Sequence, residues 1–328
     1  MSENQINSKE KSNNDLSKEF KNHDLSDSAI SNVASEFLKE FRKSRRWTIF
    51  FRFFTIIVLL FIFSTLSFKI SDNSINKSHT ALIDIEGSIT SKSYKGSIDS
   101  ILPALNQAFS NKNSVGVILR MNSPGGSPVQ SAIVNNEIIR LKKNFPKKPI
   151  YVVVEDMCLS GCYYIAAAAD KIYVSKSSII GSIGVLMSSF GFVGLMDKLG
   201  IERRLLTAGE NKSIMDPFSK QIPEHKKYTD SMLNEIHQQF IDAVRQGRGK
   251  RLIESSEIFS GLMWVGTKAV ALGLADDFGT VRGITRDILK TERLIDYTEK
   301  EPVTDRLLKK FGASVGEGIA KLFAKNFL

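Results

Sequence analysis

The sequence predicts an α/β fold with parallel-sheet character, preceded by one N-terminal transmembrane helix. Three observations support this prediction. Apolar runs alternate with helical patterns after about residue 80, as in chains that cover a parallel sheet with helices. The run 149–157 is rich in β-branched residues, which is typical of a strand buried on both faces. The stretch 53–68 has 16 residues without a charge and follows a basic flank.

The predicted elements of the domain follow one another at short intervals. Strands are predicted at 81–89, 114–121, 149–157, 171–175, 181–187 and near 203–207. Helices are predicted at 97–110, 127–143 and 224–246, with a short helix at 163–169. These elements indicate one large domain over 79–296, followed by a basic amphipathic segment at 297–328 that packs on the protein or contacts a membrane.

The N-terminal region is expected to hold a disordered cytoplasmic tail, 1–46, and a transmembrane signal anchor, 47–70. As a helix, 53–68 is about 24 Å long, and extension back to Trp47 gives about 33 Å, close to the roughly 30 Å hydrocarbon core. A cleavable signal peptide and a buried core helix are the alternatives, but the run has no small-residue cleavage site and lies beside basic residues. The positive flank orients the domain outside the cytoplasm.

Composition and charge narrow the function classes. The chain has 328 residues, 42% hydrophobic and 24% charged, which excludes disordered, collagenous and polytopic membrane classes. Two cysteines exclude a disulfide scaffold and a cysteine-based metal cluster. The formal charge of +10 suggests nucleic acid, but the segment 79–305 has 28 basic and 25 acidic residues and contributes only +3. Most of the excess positive charge lies beside apolar segments and indicates membrane attachment.

Two predicted strand ends carry candidate catalytic groups. In CLSGC (158–162), Ser160 stands at a sharp strand-to-helix turn, where nucleophilic serines are commonly placed and where helix N–H groups favour negative charge. The alternative is that Ser160 only caps the following helix. In NSPGG (122–126), Gly125 and Gly126 allow close backbone approach to a ligand and can aim N–H groups at an oxyanion. The alternative there is an ordinary turn.

A serine nucleophile needs a base, and the four histidines are poorly placed for that role. His23 and His79 lie near the N-terminal region, while His225 and His237 lie in a polar helical stretch with no predicted strand end nearby. A lysine is the other option, and its pKa must then fall by roughly three units, about 4 kcal/mol, through desolvation. Lys212 is one of several candidates on local sequence.

Together, NSPGG, SGCYYIAAAADKI, GSIGV and the K-S-x-x-D-P pattern closely resemble the signal peptide peptidase A family, peptidase family S49 in its short single-repeat form. The resemblance covers about 80–296, in the family's order and spacing. It implies a fold of repeated β-β-α units like the Clp protease and crotonases, and serine endopeptidase activity with no cofactor or metal. It also implies a bacterial inner-membrane location, with the protease domain on the outer or periplasmic side.

The resemblance also assigns site residues. Ser160 matches the nucleophile, Lys212 the general base and Ser182 a hydroxyl that orients the lysine. Gly125 and Gly161 match the oxyanion hole. The implied partners are apolar peptides such as remnant signal peptides, the membrane, and further copies in a ring in which serine and lysine meet across protomers; no nucleic acid is expected. Quality control of membrane proteins and a catalytically silent crotonase-like scaffold remain as alternatives.

The sequence departs from the family beside the nucleophile. Members commonly read A-S-G-G, whereas this chain has Cys158 two residues before Ser160 and Cys162 in place of the second glycine. A four-residue separation across a strand-to-helix turn rarely gives disulfide geometry, so two buried free thiols are expected. Cysteine as the nucleophile is a weaker hypothesis, because no histidine partner is evident.

Overall fold

The computed structural model of this chain describes residues 47–63, 77–91 and 96–299. The chain divides into two compact units, residues 1–73 and 74–328. In the first unit, residues 47–63 form helix α1 with exposed side chains. Within the described ranges no helix is both long and apolar enough to cross a membrane. The rest of the predicted anchor, the predicted tail 1–46 and nearly all of the C-terminal segment lie outside the described residues, so those three remain predictions.

The described part of the second unit contains one sheet of eight strands. The strands are β1 His79–Glu86, β2 Ser114–Ser123, β3 Ile150–Leu159, β4 Lys171–Val174, β5 Ile179–Gly181, β6 Met263–Val265, β7 Asp277–Phe278 and β8 Leu294–Asp296. Their order is β6-β5-β3-β2-β1-β8, and β4 pairs with β3 and β7. Every pairing is parallel except that of β5 with β6. The predicted α/β fold with a parallel-rich sheet is therefore confirmed.

The helices follow the strands along the chain. They are α2 Ile98–Ser110, α3 Pro128–Asn144, α4 Gly161–Ala166, α5 Val193–Leu199, α6 Pro223–Arg248, α7 Gly266–Ala271 and α8 Val281–Gly283. A 3₁₀ turn, Gly249–Arg251, follows α6, and a π-helical turn, Ile284–Ile288, follows α8. Side-chain caps define two of the starts, because Ser97 and Ser127 accept hydrogen bonds from backbone N–H groups of the first turns of α2 and α3.

The central strands are buried on both faces. On one face, Ile83 and Leu119 belong to the main core, which includes residues of α2, α3, α4 and α6. On the other face, Leu82 and Ile118 pack in a smaller cluster with Ile284. Because side chains alternate along a strand, each strand supplies both clusters, and the nearly continuous apolar runs predicted this burial.

Two predicted strands are wrong in whole or in part. Residues 203–207 form no strand, and of the predicted strand 181–187 only Gly181 lies in β5. The apolar side chains that suggested these strands stay uncovered: Leu186 is 85% exposed and Leu206 is 97% exposed. Regularly spaced apolar residues predict a surface that is buried against another element. In this segment, the described residues do not bury those apolar side chains.

Candidate active site

Ser160 lies at the turn between β3 and α4 in a strained backbone conformation. Its φ is 50° and its ψ is −122°, a region that non-glycine residues rarely adopt and that functional sites often retain. Its N–H donates to the Gly181 carbonyl over 2.9 Å, and its carbonyl accepts from the Tyr164 N–H over 3.0 Å. The side chain is half-buried and makes no capping hydrogen bond. The backbone therefore holds the hydroxyl out of the helix, and simple capping does not describe this serine.

The expectation of two free thiols is wrong. Cys158 and Cys162 form a disulfide with a Cα–Cα distance of 5.1 Å, inside the usual bonding range. The separation expected to prevent the bond allows it because the strained turn at Ser160 folds the chain back on itself. Both cysteines are fully buried, and the Met121 sulfur lies 3.7 Å from each of their sulfurs. The nucleophile candidate is thus the middle residue of a five-residue covalent loop.

The glycine pair of NSPGG lies directly against this turn. A Cβ on Gly125, whose φ is 101°, would approach the Leu159 carbonyl oxygen to 2.7 Å and the Ser160 Cβ to 2.8 Å. The Gly125 N–H, predicted as an oxyanion donor, instead donates to the Ser123 Oγ over 3.1 Å. The turn pattern predicted that either glycine could offer its N–H, and the family resemblance singled out Gly125, but Gly126 lines the same cavity as Ser160. Sequence alone did not distinguish two adjacent glycines, because the turn geometry decides which N–H is engaged.

Gly161 provides a second backbone donor at the cavity. It is the first residue of α4, so its N–H has no partner within the helix. A Cβ placed on Gly161 would clash with the Ser131 Oγ and would lie 3.3 Å from the Gly126 nitrogen. Gly161 and Gly126 therefore approach each other beside Ser160, in an arrangement that could receive an oxyanion.

Ser182 lies next to Ser160 across two paired strands. Leu159 pairs with Gly181 in parallel register, so the two serines are the residues that follow this pair. Ser182 also has a positive φ, 52°, and its N–H donates to the Leu262 carbonyl over 2.8 Å. The structure thus brings the two hydroxyl-bearing turns to the same end of the sheet.

His237 corrects the sequence-based picture of the histidines. Although no strand end was expected near it, its Nε2 lies 3.1 Å from the carbonyl oxygen of Ile183, just after Ser182. A carbonyl only accepts hydrogen bonds, so this nitrogen carries a proton and is not available to take one from a serine. The side chain positions the Ser182 turn.

An apolar cavity of about 390 Å³ opens beside Ser160. Its wall includes the stacked rings of Tyr164 and Phe240, whose centroids are 4.9 Å apart. Burial raises the pKa of the Tyr164 hydroxyl, and Asp242 adds to the shift. The remaining lining residues are Gly126, Pro128, Val129, Ala132, Ile133, Asn136, Gly161, Gly184, Val185, Ile236 and Gln239. This cavity could hold one apolar side chain of a peptide.

Lys212 is not among the residues that line this cavity. It is exposed, in a turn where its N–H donates to the Gly209 carbonyl over 3.1 Å. The turn is held by Asp216, whose carboxylate accepts hydrogen bonds from Arg203 and Ser219. The Arg203 guanidinium, followed by Ser219, lowers the pKa of Asp216. One chain thus assembles Ser160, Gly161, Gly126 and Ser182, and holds the lysine on a separate exposed segment.

Comparison with known proteins relates this chain to one family. The model of "Peptidase family S49" matches residues 142–294. "Putative protease MJ0651" of Methanocaldococcus jannaschii is 34% identical over 216 residues, which cover 63% of this chain and 68% of that protein. "Putative signal peptide peptidase SppA" of Enterococcus faecium is 32% identical over 206 residues, 63% of this chain and 59% of that protein.

One longer relative matches part of this chain. "Na(+)/H(+) antiporter NhaA" of Brucella abortus is 44% identical over 190 residues, which cover 58% of this chain but 26% of that protein. The chain thus spans about a quarter of the length of this relative.

Within the described residues, no group of three or more His, Cys, Asp or Glu side chains could hold a metal ion.

Proposed function

This chain belongs to peptidase family S49, and we propose from this premise that it is a serine endopeptidase with Ser160 as nucleophile and Lys212 as general base. The observation that carries the proposal is the strained turn at Ser160, which presents a half-buried hydroxyl between an apolar cavity and the free N–H of Gly161. A structural serine would not require a positive φ and would use its hydroxyl as a cap.

The proposed reaction begins when neutral Lys212 takes the proton of Ser160 and the Oγ attacks a peptide carbonyl. The developing oxyanion is held by the N–H groups of Gly161 and Gly126. Gly126 is the better second donor, because its N–H donates to no group among the described residues, whereas that of Gly125 donates to Ser123. Protonated Lys212 then gives its proton to the leaving amine. Water hydrolyses the acyl-enzyme, with lysine acting again as base. Ser182 would orient the lysine amine.

The base must be desolvated for this role, and an exposed lysine is not. We infer that a second copy of the chain covers the segment around Lys212 and brings the lysine to the neighbour's serine. Uncovered apolar side chains in the same segment support this inference: Phe190 is 81% exposed and Leu206 is 97% exposed. Such a contact, repeated head to tail, gives a ring where the rotation between neighbours closes, and we propose a ring here.

The proposed substrates are apolar peptides, including remnant signal peptides and segments of damaged membrane proteins. The apolar lining of the cavity beside Ser160 supports this class, since it offers no charged side chain to a substrate residue. We further propose that residues 47–70 anchor the chain in a membrane, because the uncharged run 53–68 follows a strongly basic flank.

A mixture of two inactive variants tests three points at once: the role of Ser160 as nucleophile, the role of Lys212 as base, and the formation of the dyad between protomers. Ser160→Ala and Lys212→Ala should each lose at least ~10⁴-fold in kcat on a fluorogenic apolar peptide, as in other nucleophile and base deletions. Co-assembled in equal amounts, they should recover about a quarter of wild-type activity, because one site in four pairs an intact serine with an intact lysine. Ser177→Ala, at an exposed serine outside the cavity, is the control.

Three results would contradict the proposal. Activity retained by Ser160→Ala would refute the nucleophile, and activity retained by Lys212→Ala would refute the base. If both variants are inactive and the mixture stays inactive after co-refolding, the dyad does not form between protomers.

A further inference from the structure

The edge of the sheet where the parallel strands begin is strongly basic. Backbone hydrogen bonds bring its loops together: His79 N–H donates to the Asn113 carbonyl over 3.0 Å and Val117 N–H to the Pro149 carbonyl over 2.9 Å. We call the surface formed by Lys77, loop 111–115, residues 142–149, Lys171 and Arg293 the tether edge. The chain arrives at β1 from this edge, because Lys77 lies two residues before the start of the strand.

Some cations at the tether edge are used by the fold. Lys148 Nζ donates to the carbonyl oxygens of Ala108, Phe109 and Asn111, which closes the C-terminal end of α2. Burial lowers the pKa of this lysine. Lys142 pairs with Asp170 over 2.8 Å at the end of α3. Basic residues at helix C-termini stabilise helices, so these two require no further explanation.

The other cations at this edge have no such use. They are exposed and form no hydrogen bond or ion pair through their side chains with the described residues: Lys77, Lys112, Lys143, Lys147, Lys171 and Arg293. Close to them lie the acids Glu292, Asp170 and Asp276. Asp170 is already paired with Lys142, and Asp276 with Arg248 and Arg251. Away from this edge, Glu86 ends β1, and Glu155 and Asp156 lie in the second half of β3, so the basic surplus is local.

An apolar cleft opens among these lysines. It has a volume of about 550 Å³, and Lys112 and Lys147 lie in its lining with Val115, Phe145 and Pro146. The inner wall is Phe109, whose ring centroid lies 5.9 Å from that of Phe145. An apolar slot with two unpaired ammonium groups suits a molecule that carries a negative headgroup on a hydrocarbon chain.

We propose that the tether edge binds anionic phospholipid, with phosphate on Lys112 and Lys147 and the glycerol and upper acyl carbons in the cleft. A bilayer is favoured over nucleic acid for two reasons. The chain reaches this edge at Lys77, seven residues after the predicted anchor ends at residue 70. A nucleic-acid surface would expose aromatic rings for stacking, whereas Phe145 is half-buried. This inference rests on the proposed membrane attachment, not on the peptidase chemistry.

Hydrogen exchange on the full chain in nanodiscs tests the proposal. Nanodiscs of phosphatidylcholine alone are compared with nanodiscs that also contain phosphatidylglycerol. Backbone amides of 109–116 and 145–150 should exchange about fivefold more slowly with phosphatidylglycerol, the factor expected for one lysine at an anionic surface, and high salt should remove the difference. Lys112→Glu/Lys147→Glu should abolish it, and Lys112→Gln/Lys147→Gln should reduce it.

The matched control is Lys226→Glu/Lys227→Glu, which makes the same charge change at exposed lysines of α6 and should keep the protection. Equal exchange in the two lipids, or protection that survives Lys112→Glu/Lys147→Glu, would overturn the proposal. So would equal protection by a single-stranded oligonucleotide in phosphatidylcholine nanodiscs, because the edge would then bind any polyanion. Failure of the anchor is distinguishable, since the chain would not enter nanodiscs at all, and failure of the Ser160 assignment would leave the exchange unchanged.

Discussion

The two halves of the proposed dyad lie in regions built in opposite ways. Ser160 follows a central strand, is bracketed by a buried disulfide, and has backbone hydrogen bonds that fix its turn. Lys212 lies in a segment, 185–222, that contains no strand and whose side chains are mostly exposed. This segment is held together by the stacked rings of Phe192 and Phe218 and by the Arg203–Asp216 ion pair.

The difference concerns how the position of each catalytic group is fixed. The serine side is preorganised by one chain, at the cost of a strained backbone at Ser160. Under the proposed mechanism, the lysine side is completed when another surface removes water from it, which would separate the base from the nucleophile until assembly. A protease that acquires its base by assembly would be inactive as a lone chain. We therefore expect the serine side to be rigid and the lysine side to depend on its own ion pair.

The largest effect is expected at the glycine that contacts the serine turn. Gly125→Ala should reduce kcat at least ~10²-fold, because its Cβ would lie 2.8 Å from that of Ser160 and 2.9 Å from the Gly161 nitrogen. Gly87→Ala is the matched control: its φ is also positive, 76°, but its Cβ would have no neighbour within 4 Å. The control should lose about 1 kcal/mol of unfolding free energy and keep its activity. If Gly125→Ala stays active, the turn at Ser160 can shift to accommodate the added Cβ without loss of catalysis.

The disulfide should come next. Cys158→Ala/Cys162→Ala should lower kcat about tenfold through a less fixed Ser160, with KM nearly unchanged. The free energy of unfolding should fall by about 2 kcal/mol, the loop-closure value for so short a loop. Prolonged reduction should lower the activity of the wild type and leave the double variant unaffected. If wild-type activity is insensitive to verified reduction of the bond, the disulfide does not position the serine.

A smaller effect is expected on the lysine side. Asp216→Asn should lower kcat about fivefold, corresponding to ~1 kcal/mol, because it loses the ion pair with Arg203 that holds the Lys212 turn. The thermal midpoint should barely move, since the pair is near the surface. Glu202→Gln breaks the neighbouring, more exposed pair with Arg204 and should change neither quantity. A large loss of stability in Asp216→Asn would mean that this segment is part of the core.

The smallest effect on activity is expected from the buried Arg248–Asp276 ion pair, which contributes to stability. Burial alone would raise the pKa of Asp276, but hydrogen bonds from Arg248 and from the Ile172 N–H lower it below its usual value of 3.8. A carboxylate with a lowered folded pKa adds stability above that usual value, and the stability is lost as the pH falls through the folded pKa. The thermal midpoint should thus be flat from pH 5 to pH 8 and fall below about pH 4.

Asp276→Asn provides the comparison for this acid transition. It should lower the midpoint at pH 7 and weaken the fall below about pH 4, because the titrating carboxylate is gone. An undiminished acid transition in this variant would assign the effect to other carboxylates.

Local sequence patterns predicted the central strand of the sheet and the position of the candidate serine. The continuous apolar run of β3 predicted a strand buried on both faces, and the residues CLSGC placed a serine at its end, because these signals depend only on neighbours along the chain. The same patterns failed at 203–207, where apolar residues are exposed, and at Cys158 and Cys162, whose bond depends on the φ of Ser160. Which N–H of the glycine pair is free, and where Lys212 lies, were also decided by tertiary structure. Sequence patterns encode what each segment must bury, whereas distances between groups far apart along the chain arise only from the packing of the whole sheet.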